Sequence, residues 1–154
     1  MSQHLFLDLS SGQVPSPQIR AVHLDTFHTA LDGDVPVSAV AVWLKGQGDE
    51  PLYFARGTLD AEAVSLWALT QPGEQFLALP GAIDSDEMTH FFAADAIETA
   101  DIDEQDNSVR VKLFDDPLFW WFSPRSWAAI ALLLWDGVAD MTLPRVTALL
   151  PVAS

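Results

Sequence analysis

The chain has 154 residues, the usual size of one domain, and folding at that length buries roughly 70% of the surface that the unfolded chain exposes. Twenty-two Asp and Glu stand against seven Lys and Arg, a formal charge of −15, yet 49% of the residues are hydrophobic and six are Trp. Such a chain is too apolar to be disordered, and its scattered bases make no cationic footprint for a phosphate backbone. The absence of Cys removes disulfides, thiol nucleophiles and Cys-ligated metal sites.

In chain order, Met1 to Asp8 has no cationic lead and no long apolar run, which predicts no secretory signal and a cytoplasmic protein. His4 to Leu9 alternates at Leu5, Leu7 and Leu9 as a strand does, and Ser10-Ser11-Gly12 with Pro15 and Pro17 reads as a loop. Ile19 to Phe27 alternates weakly. After a turn at Leu31 to Asp34, the β-branched run Val37 to Leu44 predicts a buried strand. A turn from Gly46 to Pro51 and a strand from Leu52 to Leu59 complete a meander. Asp60 stands at a helix-cap position before the helix formers Ala61 to Leu69, which Pro72-Gly73 stops. Glu74 to Leu79 returns to strand and ends at Pro80-Gly81.

The next stretch is the most unusual. Between Asp84 and Asp106 lie nine acids (Asp84, Asp86, Glu87, Asp95, Glu98, Asp101, Asp103, Glu104 and Asp106) and no Lys or Arg. Asp84 and Glu87 have the spacing of a capping box, and Met88, Phe91, Phe92 and Ala96 follow at helical intervals, which predicts a helix from Ser85 to about Ala94. Beyond it, the turn-prone pair Asp106-Asn107 predicts a two-residue hairpin loop. That loop sets Asp103 opposite Arg110, Asp101 opposite Lys112, Ile102 opposite Val111 and Ala100 opposite Leu113.

Phe119-Trp120-Trp121-Phe122 follows, and four consecutive aromatics cannot all face one way, so at least one meets the surface, a ligand or another subunit. Ser123 and Pro124 suit a helix start, and Trp127 to Trp135 is apolar on every side, as expected of a helix in the core or under another chain. With Ser123 to Ser126 interrupting Pro117 to Trp135, no run reaches the ~20 residues that a membrane-spanning helix needs. A last turn or short helix is expected from Arg145 to Leu150.

The neutral-pH acid–base groups are His4, His23, His28 and His90. On a strand His23 shares a face with Asp25, whereas His23 and His28 point to opposite faces. His90 lies among carboxylates that favour its charged form, and a solvated imidazole is expected there. Asp101 to Asn107 resembles a calcium loop only in part, since Asp106 replaces the required Gly and Lys112 the bidentate Glu. Phosphate-loop, dinucleotide, nucleophile-elbow and His-Glu-x-x-His motifs are all absent. No catalytic residue, metal site or cofactor is assigned.

The sequence therefore implies a single α+β domain: an antiparallel sheet of five to seven strands with two or three helices, including a buried C-terminal helix. Its expected role is a non-catalytic protein-binding module, an inhibitor, immunity-type or adaptor protein, whose acidic face meets a basic partner, with nucleic-acid mimicry as the sharper form. Asp84, Asp86, Glu87, Asp95, Glu98 and Glu104 would steer the partner, and Trp120 and Trp121 would hold it. The alternatives are a small enzyme or small-ligand binder with a His/carboxylate site, and a homo-oligomer subunit joined through the aromatic block and apolar helix, its acidity serving solubility in high salt.

Overall fold

The β-branched and aromatic runs become strands. The structure, a computed structural model, describes residues 6–28, 37–46, 50–71, 75–80, 87–103, 105–114, 119–123 and 127–135. In chain order these form β1 (Phe6–Leu9), β2 (Gly12–Pro15), β3 (Ile19–His28), β4 (Val37–Leu44), β5 (Leu52–Ala55), α1 (Leu59–Thr70), β6 (Phe76–Pro80), β7 (Met88–Ala93), β8 (Ile97–Ile102), β9 (Val109–Leu113), β10 (Phe119–Phe122) and α2 (Ala128–Trp135). The protein is sheet-rich α+β, with two α-helices among the described residues. Among the described residues the largest sheet has five antiparallel strands, ordered β5-β4-β3-β7-β6, within the expected five to seven, and two smaller antiparallel sheets, β10-β9-β8 and β1-β2, accompany it. The expected helix from Arg145 to Leu150 lies outside the described residues.

Two departures from expectation have a local cause. The loop expected after Leu9 contains β2, because Gly12 adopts φ 138°, a conformation open to glycine, and the chain turns straight back on β1. Thr58, not Asp60, caps α1: its Oγ1 accepts from the Ala61 amide at 3.2 Å. Asp60 instead accepts from the Ser10 amide at 2.8 Å and the Ser10 hydroxyl at 2.7 Å, fastening the β1-β2 turn to the helix.

The expected Ser85 to Ala94 helix is overturned, since Met88–Ala93 is strand β7. It pairs with β3 through Ala21↔Phe92, Val22↔Phe91 and His23↔His90, and with β6 on its other side. Phe91 and Phe92 enter cores on opposite faces of the sheet, 5% and 1% exposed. A helix could bury only one stripe of these residues, whereas a central strand buries both sides.

The hairpin joins β8 to β9, but two residues out from the expected register: Ile102 faces Val109, Asp101 faces Arg110 and Ala100 faces Val111. Its loop is longer than two residues. Asp103 donates its amide to the Ser108 carbonyl, Asn107 donates to the Asp103 carbonyl, each at 2.8 Å, and Asn107 takes φ 64°. A slip of two preserves the faces, so Ala100, Ile102, Val109 and Val111 still point to the core.

The five-stranded sheet is covered on both faces. One face carries Val22, Leu24, Val40, Val42 and Phe91 against Leu7 of β1 and Ala61, Val64, Trp67 and Ala68 of α1. Trp67 anchors this layer, 2% exposed, edge-on to Phe76 at 5.1 Å and donating Nε1–H to Ser16 Oγ at 2.9 Å. The other face carries Ala21, Leu77, Leu79 and Phe92 against Val109, Val111, Leu113 and Phe122, with Ala128, Ala129 and Leu132 of α2 in the same cluster.

Candidate functional site

Two places collect the chemistry-bearing side chains: a histidine pair on the second face of the large sheet, and the outer face of the three-stranded sheet.

Register alone brings the histidines together. One row crosses the large sheet as Tyr53, Ala41, His23, His90 and Leu79, since these residues are cross-strand partners in turn. The imidazoles of His23 and His90 stack, with centroids 3.8 Å apart and planes at 27°. Around His90 stand Phe122 at 5.0 Å, Trp120 at 6.0 Å and Phe92 at 6.3 Å, and Trp43 meets Trp120 edge-on at 5.0 Å. Thr89 Oγ1 is 3.4 Å from His90 Nδ1. The pairing is irregular on one side of this row, in both strands: β3 bulges at Leu24 and Asp25 opposite Val40, and β7 bulges at Thr89 between Leu79 and Pro80.

The environment corrects the reading of His90 as a solvated, charge-favoured group. Only 9% of it is exposed, and burial, aided by the adjacent His23, pushes its pKa down to about 3. Burial lowers His23 as well, opposed by the negative charge of Asp25. Both rings are therefore neutral at physiological pH. Asp25 lies 3.9 Å from the Arg56 guanidinium, which also donates to the Leu24 carbonyl. The His28 side chain lies outside the described residues, as does the whole of His4.

The carboxylates expected to steer a partner are distributed as follows. Asp84, Asp86 and Glu104 lie outside the described residues. Glu87 is exposed just before β7. Asp95, in the turn between β7 and β8, pairs with Lys45 at 2.7 Å, and Glu98, the extra residue of a bulge in β8, pairs with Lys112. Arg110 reaches Asp103 at 3.4 Å, as the sequence pairing has it, whereas Lys112 takes Glu98 and not Asp101. Several acids of the anionic stretch are thus already matched with cations. These pairs are half-exposed, and such pairs contribute little to stability, about 0–1 kcal/mol each.

The calcium-like run is consumed by its own turn. Asp103 Oδ1 accepts the Gln105 amide at 2.8 Å, and Asp106 Oδ1 accepts the Ser108 amide at 2.9 Å. The bonds to Ser108 hold the Asp106 carboxyl below its usual pKa. Among the described residues no cluster of three or more His, Asp and Glu is placed to hold a metal ion. Nor, among them, is any helix long and apolar enough to cross a membrane.

The aromatic block divides as strand alternation requires. Trp120 and Phe122 turn inward to the histidine row, and Trp121 turns outward, 58% exposed. Trp121 shares a row with Arg110 and Asp101, so it stands on the same outer face, at the opposite edge from the β8 acids. Two strand spacings, ~9.6 Å, separate those edges. The chain thus brings Trp121 and Glu98 onto one sheet, while Trp120, expected to hold the partner, turns to the inner face and packs, partly buried, against the core.

Sequence reasoning missed the histidine pair, which depends on β3 meeting β7 and carries no local signal. It also missed an exposed leucine stripe on α1, whose spacing was legible. With this geometry in view, no family model matches the chain, and no curated protein and no solved structure matches it either.

Proposed function

We propose that the protein is a non-catalytic protein-binding module, of the inhibitor, immunity or adaptor kind, which presents the outer face of β8, β9 and β10 to a basic partner protein. The observation that carries this reading is Trp121, an indole 58% exposed on a strand whose neighbours Trp120 and Phe122 are turned to the core. A large aromatic left in water beside charged groups is the composition of a binding anchor with its polar rim. The net charge of −15 supplies long-range attraction for a cationic surface, even with Asp95, Asp103 and Glu98 locally neutralised by Lys45, Arg110 and Lys112. Trp121 holds the partner, and Glu98, Asp101 and the neighbouring acids guide it in. A single acidic domain acting in the cytoplasm is the arrangement in which this reading is framed.

The test has two steps. The protein is immobilised at low ionic strength, captured proteins are eluted with rising salt, and association rates of the recovered partner are measured across a salt series. A basic partner whose association slows steeply with salt, slows again when Asp86, Glu87, Asp95 and Glu98 become Asn or Gln, and dissociates faster from Trp121→Ala, supports the proposal. Association indifferent to ionic strength and to these substitutions refutes it.

One observation favours a second reading, a small-ligand site: the stacked His23 and His90 lie between the large sheet and the aromatic block, with Asp25 two residues along β3. That reading requires a small molecule to shift the imidazole resonances of both rings.

A further inference from the structure

We infer that the outward face of α1, formed by Leu59, Glu62, Leu66 and Leu69, is a docking site for a basic amphipathic helix of a partner protein. Positions 59, 62, 66 and 69 fall within about 80° of the helix circumference at 3.6 residues per turn. They lie opposite Ala61, Val64 and Ala68, which α1 buries against the sheet. Leu59 is 84% exposed, Leu66 58% and Leu69 64%. Single exposed leucines are ordinary, but three on one stripe at helix-packing intervals make a patch, and patches of this kind mark interaction sites.

Charge and area select the occupant. Asp60 and Glu62 are the charged residues of α1, and no base accompanies them. Asp60 is engaged by Ser10, whereas Glu62 is exposed within the stripe and makes no ion pair among the described residues. A second copy of this chain fits poorly. Antiparallel twofold pairing of the stripe sets each Glu62 against Leu66 of its mate, and parallel pairing sets Glu62 against Glu62, so either way carboxylates are desolvated without a cation. Three leucines also offer only a few hundred Å², well under the ~800 Å² per partner of a standard stable interface. One helix with apolar residues at i, i+3 or i+4 and i+7, and a Lys or Arg placed against Glu62, matches both the width and the charge of the stripe.

This site goes beyond the proposed Trp121 face and is independent of it: α1 covers one side of the five-stranded sheet, and β8 to β10 cover the other. The probe is a fluorescein-labelled amphipathic helical peptide of leucine and lysine, compared by anisotropy at physiological salt with a scrambled peptide of the same composition. Expected are saturable one-to-one binding of the amphipathic peptide, about tenfold weaker binding by the Leu66→Gln/Leu69→Gln variant, a similar loss in Glu62→Lys, and no change in Trp121→Ala. The substituted side chains are exposed, and circular dichroism checks that each variant stays folded. Equal binding of both peptides, or unchanged binding by Leu66→Gln/Leu69→Gln, overturns the inference. So does a concentration-dependent wild-type dimer in sedimentation that these substitutions dissolve, because the occupant would then be a second copy. A loss confined to Trp121→Ala also overturns it while leaving the Trp121 face intact.

Discussion

Acidification should weaken this protein through His90 well before its carboxylates protonate. In the folded state His90 is buried under Phe92, Trp120 and Phe122 with a pKa of about 3, whereas an unfolded histidine titrates near 6.5. The unfolded chain therefore binds a proton that the folded chain refuses. The stabilisation is fully present above pH 6.5, falls by about 1.4 kcal/mol per unit as pH drops through the window from 6.5 towards 3, and levels off below it. At pH 5 the loss from His90 is about 2 kcal/mol, a large fraction of a typical domain's 5–15 kcal/mol. His23, also lowered by burial, acts in the same direction. The excess negative charge acts the other way, because partial protonation of carboxylates relieves self-repulsion. A variant must isolate the histidine. His90→Phe fills similar volume in an aromatic setting and cannot titrate, so its pH 7.5 stability should lie within about 1.5 kcal/mol of wild type. Urea unfolding followed by Trp fluorescence at pH 7.5, 6.5, 5.5 and 5.0 measures both proteins. Wild type should lose about 2 kcal/mol more than His90→Phe between pH 7.5 and pH 5. Equal losses would refute the claim that His90 is buried and neutral.

Three further outcomes follow from the geometry. Trp67→Ala removes a side chain 2% exposed, together with its contact to Phe76 and its bond to Ser16, and should cost about 3–5 kcal/mol in chemical denaturation. Thr58→Ala takes away the hydroxyl that caps α1 and should cost about 1 kcal/mol, whereas Asp60→Ala should leave the cap intact and speed hydrogen exchange in β1 and β2. Asn107→Val places a β-branched residue at φ 64° and should cost about 1–2 kcal/mol, while Asn107→Gly should be nearly neutral, both read from urea midpoints.

How far the candidate sites could be read from sequence depended on whether the signal was local. That at least one of the four consecutive aromatics leaves the core was legible, but that it is Trp121 and not Trp120 follows only from the strand alternation of Phe119–Phe122. The exposed stripe of α1 was present in the spacing of Leu59, Leu66 and Leu69, but a helix apolar on both sides does not announce which side is inward. The ion pairs were legible as a pattern and not as partners. Acids at Asp101 and Asp103 and bases at Arg110 and Lys112 repeat every two residues, so a slip of two still sets opposite charges near each other. The longer turn through Asn107 decides the register, and the bulge at Glu98 then delivers its carboxylate to Lys112.

By itself the sequence determined the strand runs that became Ile19–His28, legible only as a weak alternation from Ile19 to Phe27, and Val37–Leu44, the helix of good formers that became Leu59–Thr70, the hairpin between β8 and β9, and the strongly anionic character of the chain. Each rests on neighbouring residues: alternation, propensity, turn chemistry or charge count. Tertiary structure decided the rest. Met88–Ala93 satisfies a helical stripe and a strand almost equally, and becomes a strand because β3 and β6 supply backbone partners on both edges while two cores receive Phe91 and Phe92. The same pairing sets His23 against His90, residues 67 positions apart in the chain, and the layer above removes the water that would otherwise let them ionise. Dehydration of a ring is a property of its surroundings in space, and no window of sequence around either histidine contains those surroundings.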